Sequence, residues 1–155
     1  MLYLVIKTLH VLSAMVFLGT GFGSAWYKLR AGITRDVAAA AWIDAEVVRA
    51  DWIFTIPAGL LLPATGLGMA LGYGMPLSTP WIFQALLGYS VAGLTWLPAA
   101  ALQLRMRRLS AEALRAGTPL PERWHRDQRI WAALGLPAFG ASALVVWVMV
   151  SKSGF

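Results

Sequence analysis

Residues 7–28 read KTLHVLSAMVFLGTGFGSAWYK, and this stretch decides the fold class. Residues 8–27 hold no charged side chain, and a helix needs about 20 apolar residues to cross the hydrocarbon core of a bilayer. The stretch therefore predicts a transmembrane helix. It also contains His10, and an ionisable residue inside a membrane helix is by default a candidate functional group.

The composition of the whole chain indicates the same class. Of its 155 residues, 59% are hydrophobic and 13% are charged, which is too apolar for an ordinary soluble domain. We expect a single membrane domain over residues 1–155. The absence of cysteine excludes disulfides, iron–sulfur clusters and haem attached through a C-x-x-C-H motif. The first apolar run has no basic residue before it and is too long for a cleavable signal peptide.

Four apolar spans are expected, at about residues 2–27, 52–72, 81–104 and 130–150. The second and third spans are separated by the turn-rich segment GYGMPLSTP of residues 72–80. The predicted fold is therefore all-α: a polytopic membrane protein built as an antiparallel four-transmembrane-helix bundle. An even number of spans places both termini on one side.

The positions of the basic residues predict the orientation. Of the 13 lysines and arginines, four lie in residues 28–49 and seven in residues 105–129. The positive-inside rule makes these two segments cytoplasmic, with both termini on the periplasmic side of a bacterial inner membrane. The basic charge is thus attributed to topology and to contact with anionic lipids of the bilayer, and not to nucleic-acid binding.

Residues 35–51 predict a cytoplasmic helix between spans 1 and 2, because helix-forming residues dominate and charges separate the apolar positions. This helix is expected to run into span 2, and its acidic residues are expected to be solvated or paired with nearby arginines. Residues 117–121, which read GTPLP, are expected to break any helix in the second basic segment.

Small and aromatic residues suggest how the helices pack. Tryptophans near the span ends, Trp131 among them, are interpreted as anchors at the membrane interface. Pairs of glycines four residues apart are expected to let neighbouring helices approach closely; they are Gly19 with Gly23 and Gly68 with Gly72.

Helical rise places four side chains at a similar depth near the outer face, namely His10, Met69, Gln84 and Trp147. His125 lies roughly 20 Å or more from this layer by the same measure. Three interpretations of His10 remain open. It is an axial ligand of haem b with Met69 or Gln84 nearby, a group for proton or quinone chemistry, or a structural hydrogen-bonding residue.

Several short motifs resemble the HemJ type of protoporphyrinogen oxidase, a small haem b-binding inner-membrane family. They are Lys7-x-Leu9-His10, then Thr55-Ile-Pro57-Ala58 with Gly66, and Thr79-Pro80-Trp81-Ile82. The resemblance implies haem binding at His10. The functional lysine of that family is absent after Trp81, where the chain reads Ile-Phe-Gln84, and its Asn-Glu-x-Pro motif is absent from span 4. The histidine alone carries over.

Two further resemblances are present. Trp96-Leu-Pro98 and the segment LGLPAF of residues 134–139 resemble a family of small bacterial four-helix inner-membrane proteins of unknown function. More weakly, Leu9-His10 with the following apolar residues and glycines is similar to the CopD copper-resistance group, which would make His10, Met69 and Met75 copper ligands.

The sequence thus predicts a haem b-binding redox or haem-pathway protein with His10 as axial ligand and Met69 and Gln84 beside the cofactor. The alternatives are a non-enzymatic assembly subunit with a membrane-protein partner or a second copy of itself, and a copper-handling protein. No span carries a carboxylate or a pair of lysines, which are the usual groups for acid–base catalysis. Whether the protein is an enzyme is left open by the sequence.

Overall fold

The computed structural model describes residues 1–152, and within them the chain is mainly helical, with no strand. The helices are α1 (Leu2–Thr34), α2 (Val37–Ala50), α3 (Ile56–Gly72), α4 (Pro80–Ala116) and α5 (Glu122–Ser151), with a π-helical turn at Asp51–Thr55 between α2 and α3. A helix satisfies its own backbone hydrogen bonds, as a segment in a bilayer must.

Four continuous helical segments are long and apolar enough to cross a membrane: Leu2–Thr34, Val37–Gly72, Pro80–Ala116 and Glu122–Ser151. The predicted four-helix membrane fold is therefore confirmed. α4 continues to Ala116, well beyond its apolar part, because the residues there are good helix formers. It stops at Gly117, whose φ of 63° is left-handed, and Thr118 N–H then bonds to the Ala113 carbonyl. The break expected at residues 117–121 is present.

The helix expected between spans 1 and 2 is α2, and it does run into the next span. Asp36 caps its N-terminus by accepting hydrogen bonds from the backbone N–H groups of Ala38 and Ala39. The π-helical turn follows, in which Ile56 N–H bonds to the Asp51 carbonyl. Pro57 comes directly after this turn, and a wider turn relieves the clash that a proline ring makes with the preceding turn of an α-helix.

The two ends of the bundle differ. At the end that holds His10, Tyr3 packs edge-on against Tyr73 with ring centroids 4.8 Å apart, and Lys152 lies 6.0 Å from the Trp81 ring. We call this the His10 end. The opposite end is formed by residues 28–51 and 105–129, and we call it the Lys28 end.

The core is concentrated at the Lys28 end. α4 packs extensively against α5, α1 against α3, and α2 against α4. Elsewhere the helices expose many large apolar side chains, as membrane helices do toward lipid. The buried apolar cluster consists of Ala40, Ala99, Leu102, Met106, Ala113, Leu120, Trp124 and Trp131.

The prediction that the two glycine pairs bring neighbouring helices close together is wrong within this chain. A Cβ atom added at any of the four glycines of these pairs would meet no atom within 4 Å. The four are Gly19, Gly23, Gly68 and Gly72. Close approaches occur instead at Gly66 against His10 and at Gly21 against Phe139. Gly21 is two residues from Gly19 and Gly23, about 200° around the helix, so the contacting face of α1 is nearly opposite the predicted one.

Candidate functional site

His10 lies on α1 and faces α3. Its Nδ1 atom is 2.8 Å from the hydroxyl oxygen of Thr65. That hydroxyl is in turn 2.6 Å from the backbone carbonyl of Leu61, one turn earlier in α3. Thr65 is buried while His10 is half-exposed, so the contact fixes one side of the imidazole and leaves the other side available.

The hydrogen-bond pattern around Thr65 determines the tautomer of His10. A hydroxyl group has one proton, and two oxygens 2.6 Å apart need a proton between them. Thr65 therefore donates to the Leu61 carbonyl and accepts from His10 Nδ1–H. The neutral imidazole then carries its lone pair on Nε2, the arrangement in which a histidine binds a metal while its other nitrogen donates to a neighbouring group.

Gly66 allows the imidazole to lie directly against the backbone of α3. A Cβ atom at this position would be 3.2 Å from His10 Cε1, tighter than ordinary van der Waals contact. An alanine at this position would require the ring to move by a few tenths of an ångström. Gly66 was among the motif residues quoted above, and the structure gives it this specific steric role.

The other members of the predicted layer are less closely associated. Met69 lies one turn after Thr65 on α3 and is half-buried, and Gln84 lies on α4 with its amide oxygen buried and without a partner. Among the hydrogen bonds of residues 1–152, none joins His10 to Gln84. Trp147 is 62% exposed and lies on the outer surface of the bundle.

A second polar cluster lies at the Lys28 end, and its centre is a buried ion pair. Lys28 Nζ on α1 contacts Asp44 Oδ1 on α2, and the side chains are 0% and 1% exposed. The other carboxylate oxygen, Oδ2, accepts from Trp124 Nε1 at 2.7 Å and from Ser110 Oγ at 2.8 Å. A buried charge is tolerated only when its hydrogen bonds are satisfied, and here three other helices, α1, α4 and α5, supply them to Asp44 on α2.

Tryptophan rings enclose the lysine. Lys28 Nζ is 5.9 Å from the centroid of the Trp124 ring and 5.6 Å from that of Trp131, both within cation–π range. Gln128 Nε2 donates to the Lys28 backbone carbonyl at 2.9 Å. Two expectations are thereby corrected. Lys28 is not part of a solvated basic loop, and Trp131, 9% exposed, is a core residue and not an interface anchor.

Asp51 lies near this pair at the start of the π-helical turn. With the Gln103 amide oriented so that its nitrogen faces the carboxylate, Nε2 is 2.8 Å from Asp51 Oδ2 and the amide oxygen is 3.3 Å from Trp131 Nε1. Asp51 is 8% exposed. It therefore has a neutral hydrogen-bond donor and no ion-pair partner of its own among the described residues.

Several of the remaining acidic residues are paired with arginines. Glu46 pairs with Arg49, and Glu122 pairs with Arg129 at 3.0 Å, on the surface. Asp127, fully buried, accepts two hydrogen bonds of 2.5 Å from Arg105. The expectation of solvated or arginine-paired carboxylates in residues 35–51 is wrong for Asp44 and Asp51. Asp44 falls on the face of α2 that buries Ala40, Val47 and Val48, and Asp51, seven residues later at the start of the π-helical turn, continues this buried face, a helical periodicity that was readable in the sequence.

Residues 1–152 contain no group of three or more histidine, cysteine, aspartate or glutamate side chains that could hold a metal ion.

Comparison with known families gives one result that covers the chain. A family model described as "Predicted integral membrane protein (DUF2269)" matches residues 4–153. Comparisons with curated proteins and with solved structures give no significant match.

Proposed function

Because the chain belongs to the DUF2269 family of predicted integral membrane proteins, we propose a function inside the bilayer: binding of haem b, with His10 as an axial ligand, in a redox or haem-pathway role. The sequence resemblance to HemJ-type proteins and the state of the His10 imidazole support the proposal.

The observation that carries the proposal is the pair of hydrogen bonds at Thr65. The hydroxyl donates to Leu61 and accepts from His10 Nδ1, so Nε2 is the available nitrogen. A purely structural histidine has no need of a free Nε2 on its half-exposed side. A haem ligand needs it.

The neighbouring residues fit the group. The unpartnered amide oxygen of Gln84 and the thioether of Met69 are the remaining donors proposed beside the cofactor. His10 lines neither of the two cavities described for the chain, so a haem would use the half-exposed side of the imidazole. Bound there, haem b would supply one-electron chemistry.

The proposal includes an orientation. With the basic residues concentrated at the Lys28 end, the positive-inside rule places that end in the cytoplasm and His10 near the periplasmic face of a bacterial inner membrane. The basic surface would then contact anionic lipids.

The test is a reduced-minus-oxidised absorption spectrum of protein purified in mild detergent after expression with ample haem. The chain has two histidines, which gives a matched control. We expect Soret and α bands in the wild type and in His125→Ala, and their loss in His10→Ala. Absence of the bands from the wild type would remove the haem proposal, and their persistence in His10→Ala would remove the ligand assignment.

A second candidate is a non-enzymatic membrane partner or assembly subunit. The glycines of the two pairs, at which an added Cβ atom would meet no atom within 4 Å, favour it, since small residues on an uncovered helix face let another membrane helix approach. Chemical cross-linking in membranes distinguishes the two. A haem-free protein that forms one discrete cross-linked product, lost in Gly19→Leu and Gly23→Leu, would support this candidate.

A further inference from the structure

The bundle interior contains a mainly apolar cavity of about 200 Å³ between α1, the π-helical turn, α4 and α5. Its walls include the aromatic residues Phe17, Trp96 and Phe139. Asp51, Gln103 and Trp131 also line it, which places the cavity next to the buried polar cluster of the Lys28 end. His10 does not line it, so nothing below depends on haem binding.

The buried charges beside this cavity do not balance. The cluster contains two carboxylates, Asp44 and Asp51, and one ammonium group, Lys28. Lys28 makes its hydrogen bond to Asp44, and Asp44 also receives two neutral donors. Among the described residues, no salt bridge reaches Asp51. One carboxyl group is therefore left without a cationic partner at the cavity wall.

The hydroxyl groups of the cavity also present acceptors. Thr95 Oγ1 donates to the carbonyls of Val91 and Ala92 at 2.9 and 3.0 Å, and Ser142 Oγ donates to the Ala138 carbonyl at 2.8 Å. With their single protons used in this way, these hydroxyls offer only lone pairs to a ligand. Thr55, buried beside Asp51, has a hydroxyl oxygen with no hydrogen-bond partner of good geometry.

We propose that this cavity binds a small hydrophobic organic cation, an apolar body carrying one ammonium group that pairs with Asp51. An uncompensated buried carboxylate needs a positive charge, the lone pairs of the hydroxyls suit an N–H donor, and aromatic walls attract cations. The volume is below the roughly 300–1,000 Å³ of sites for drug-sized molecules. The ligand is therefore small, with one ring or a short chain.

Two probes of equal shape test the proposal: 2-phenylethylammonium and the neutral 2-phenylethanol. Binding to the detergent-solubilised full chain is measured by calorimetry, with detergent alone as the blank. We expect the cation to bind the wild type at least about tenfold more tightly than the alcohol. Equal affinities would overturn the proposal and indicate that Asp51 is neutralised by a proton. Absence of binding by either probe would also overturn it and indicate that the cavity does not accept a ligand of this shape.

Variants assign the effect to the carboxylate. Asp51→Asn should abolish the preference for the cation, while Glu46→Gln, which removes a surface carboxylate of the same α2 segment, should keep it. Should Asp51→Asn not fold, Ala92→Leu provides the second test, because Ala92 lines the cavity and leucine would fill it. Both probes should then lose affinity. Unchanged cation binding in Asp51→Asn or in Ala92→Leu would contradict the assignment.

Discussion

Lys28 and Asp44 form an ion pair that is almost completely enclosed, with side-chain exposures of 0% and 1%. The pair joins α1 to α2. The same carboxylate then accepts hydrogen bonds from Ser110 on α4 and Trp124 on α5, so one side chain connects four helices at the Lys28 end.

Removing the charge of Asp44 should destabilise the protein strongly. Asp44→Asn would leave Lys28 buried without its counter-charge, and breaking a buried pair in this way costs about 3–5 kcal/mol. Thermal unfolding in detergent, followed by circular dichroism, measures the loss. Glu46→Gln, two residues away in a surface pair, should change the midpoint little, and an equal midpoint for the two variants would refute the role of Asp44.

The double variant Lys28→Met with Asp44→Asn tests whether the stability loss of Asp44→Asn comes from leaving Lys28 unpaired. Because the unpaired charge is absent from it, we expect a higher unfolding midpoint than for Asp44→Asn alone. Strictly additive losses would mean that the two side chains do not interact.

Trp124 should stabilise the fold through the hydrogen bond of its indole N–H group as well as through the packing of its ring. Trp124→Phe leaves Asp44 Oδ2 without one of its donors, and an unsatisfied buried acceptor costs about 1–3 kcal/mol. Trp42→Phe is the matched control, since Trp42 is 66% exposed. Similar unfolding midpoints for the two variants would argue against this hydrogen bond.

Thr65 should increase the haem affinity of the protein without itself being an iron ligand. Thr65→Val keeps the shape of the side chain but removes the acceptor of His10 Nδ1–H, and loss of such a supporting group typically lowers metal affinity about 10–100-fold. Haem titration of the purified variant measures the change. Thr95→Val, whose hydroxyl bonds its own helix, should bind haem like the wild type. An unaltered affinity in Thr65→Val would contradict the tautomer argument.

The orientation of the bundle is testable by reporter fusions. A phosphatase that is active only outside the cytoplasm should be active when fused after Phe155 and inactive when inserted at Thr118, which lies in the short break between α4 and α5. The reverse pattern would invert the proposed topology.

The sequence was sufficient to predict the helices, because span length, hydropathy and turn residues are local properties of the chain. The spans and the break at residues 117–121 follow from such signals. The buried cluster depends on which faces meet after folding. Lys28 and Asp44 each look like ordinary surface charges in the sequence, and only the packing of α1 against α2 makes them partners. The glycine pairs failed for the same reason, because spacing along a helix does not say which face its neighbour covers.

For the candidate site, residue type and depth singled out His10, but not its partner. Thr65 was not expected beside it, since a hydroxyl in a membrane helix commonly bonds its own backbone, as Thr65 also does toward Leu61. The proposed tautomer of His10 depends on two hydrogen bonds, from His10 Nδ1–H to Thr65 and from Thr65 to the Leu61 carbonyl. The first of them forms only when α1 and α3 pack in the observed register.

The most direct test of the central proposal is a titration of purified, haem-free protein with haem b, followed through the Soret band. We expect saturable binding at one haem per chain, equal in the wild type and His125→Ala, and no saturable binding in His10→Ala. A titration that shows no saturation in the wild type, or one that is identical in His10→Ala, would contradict it.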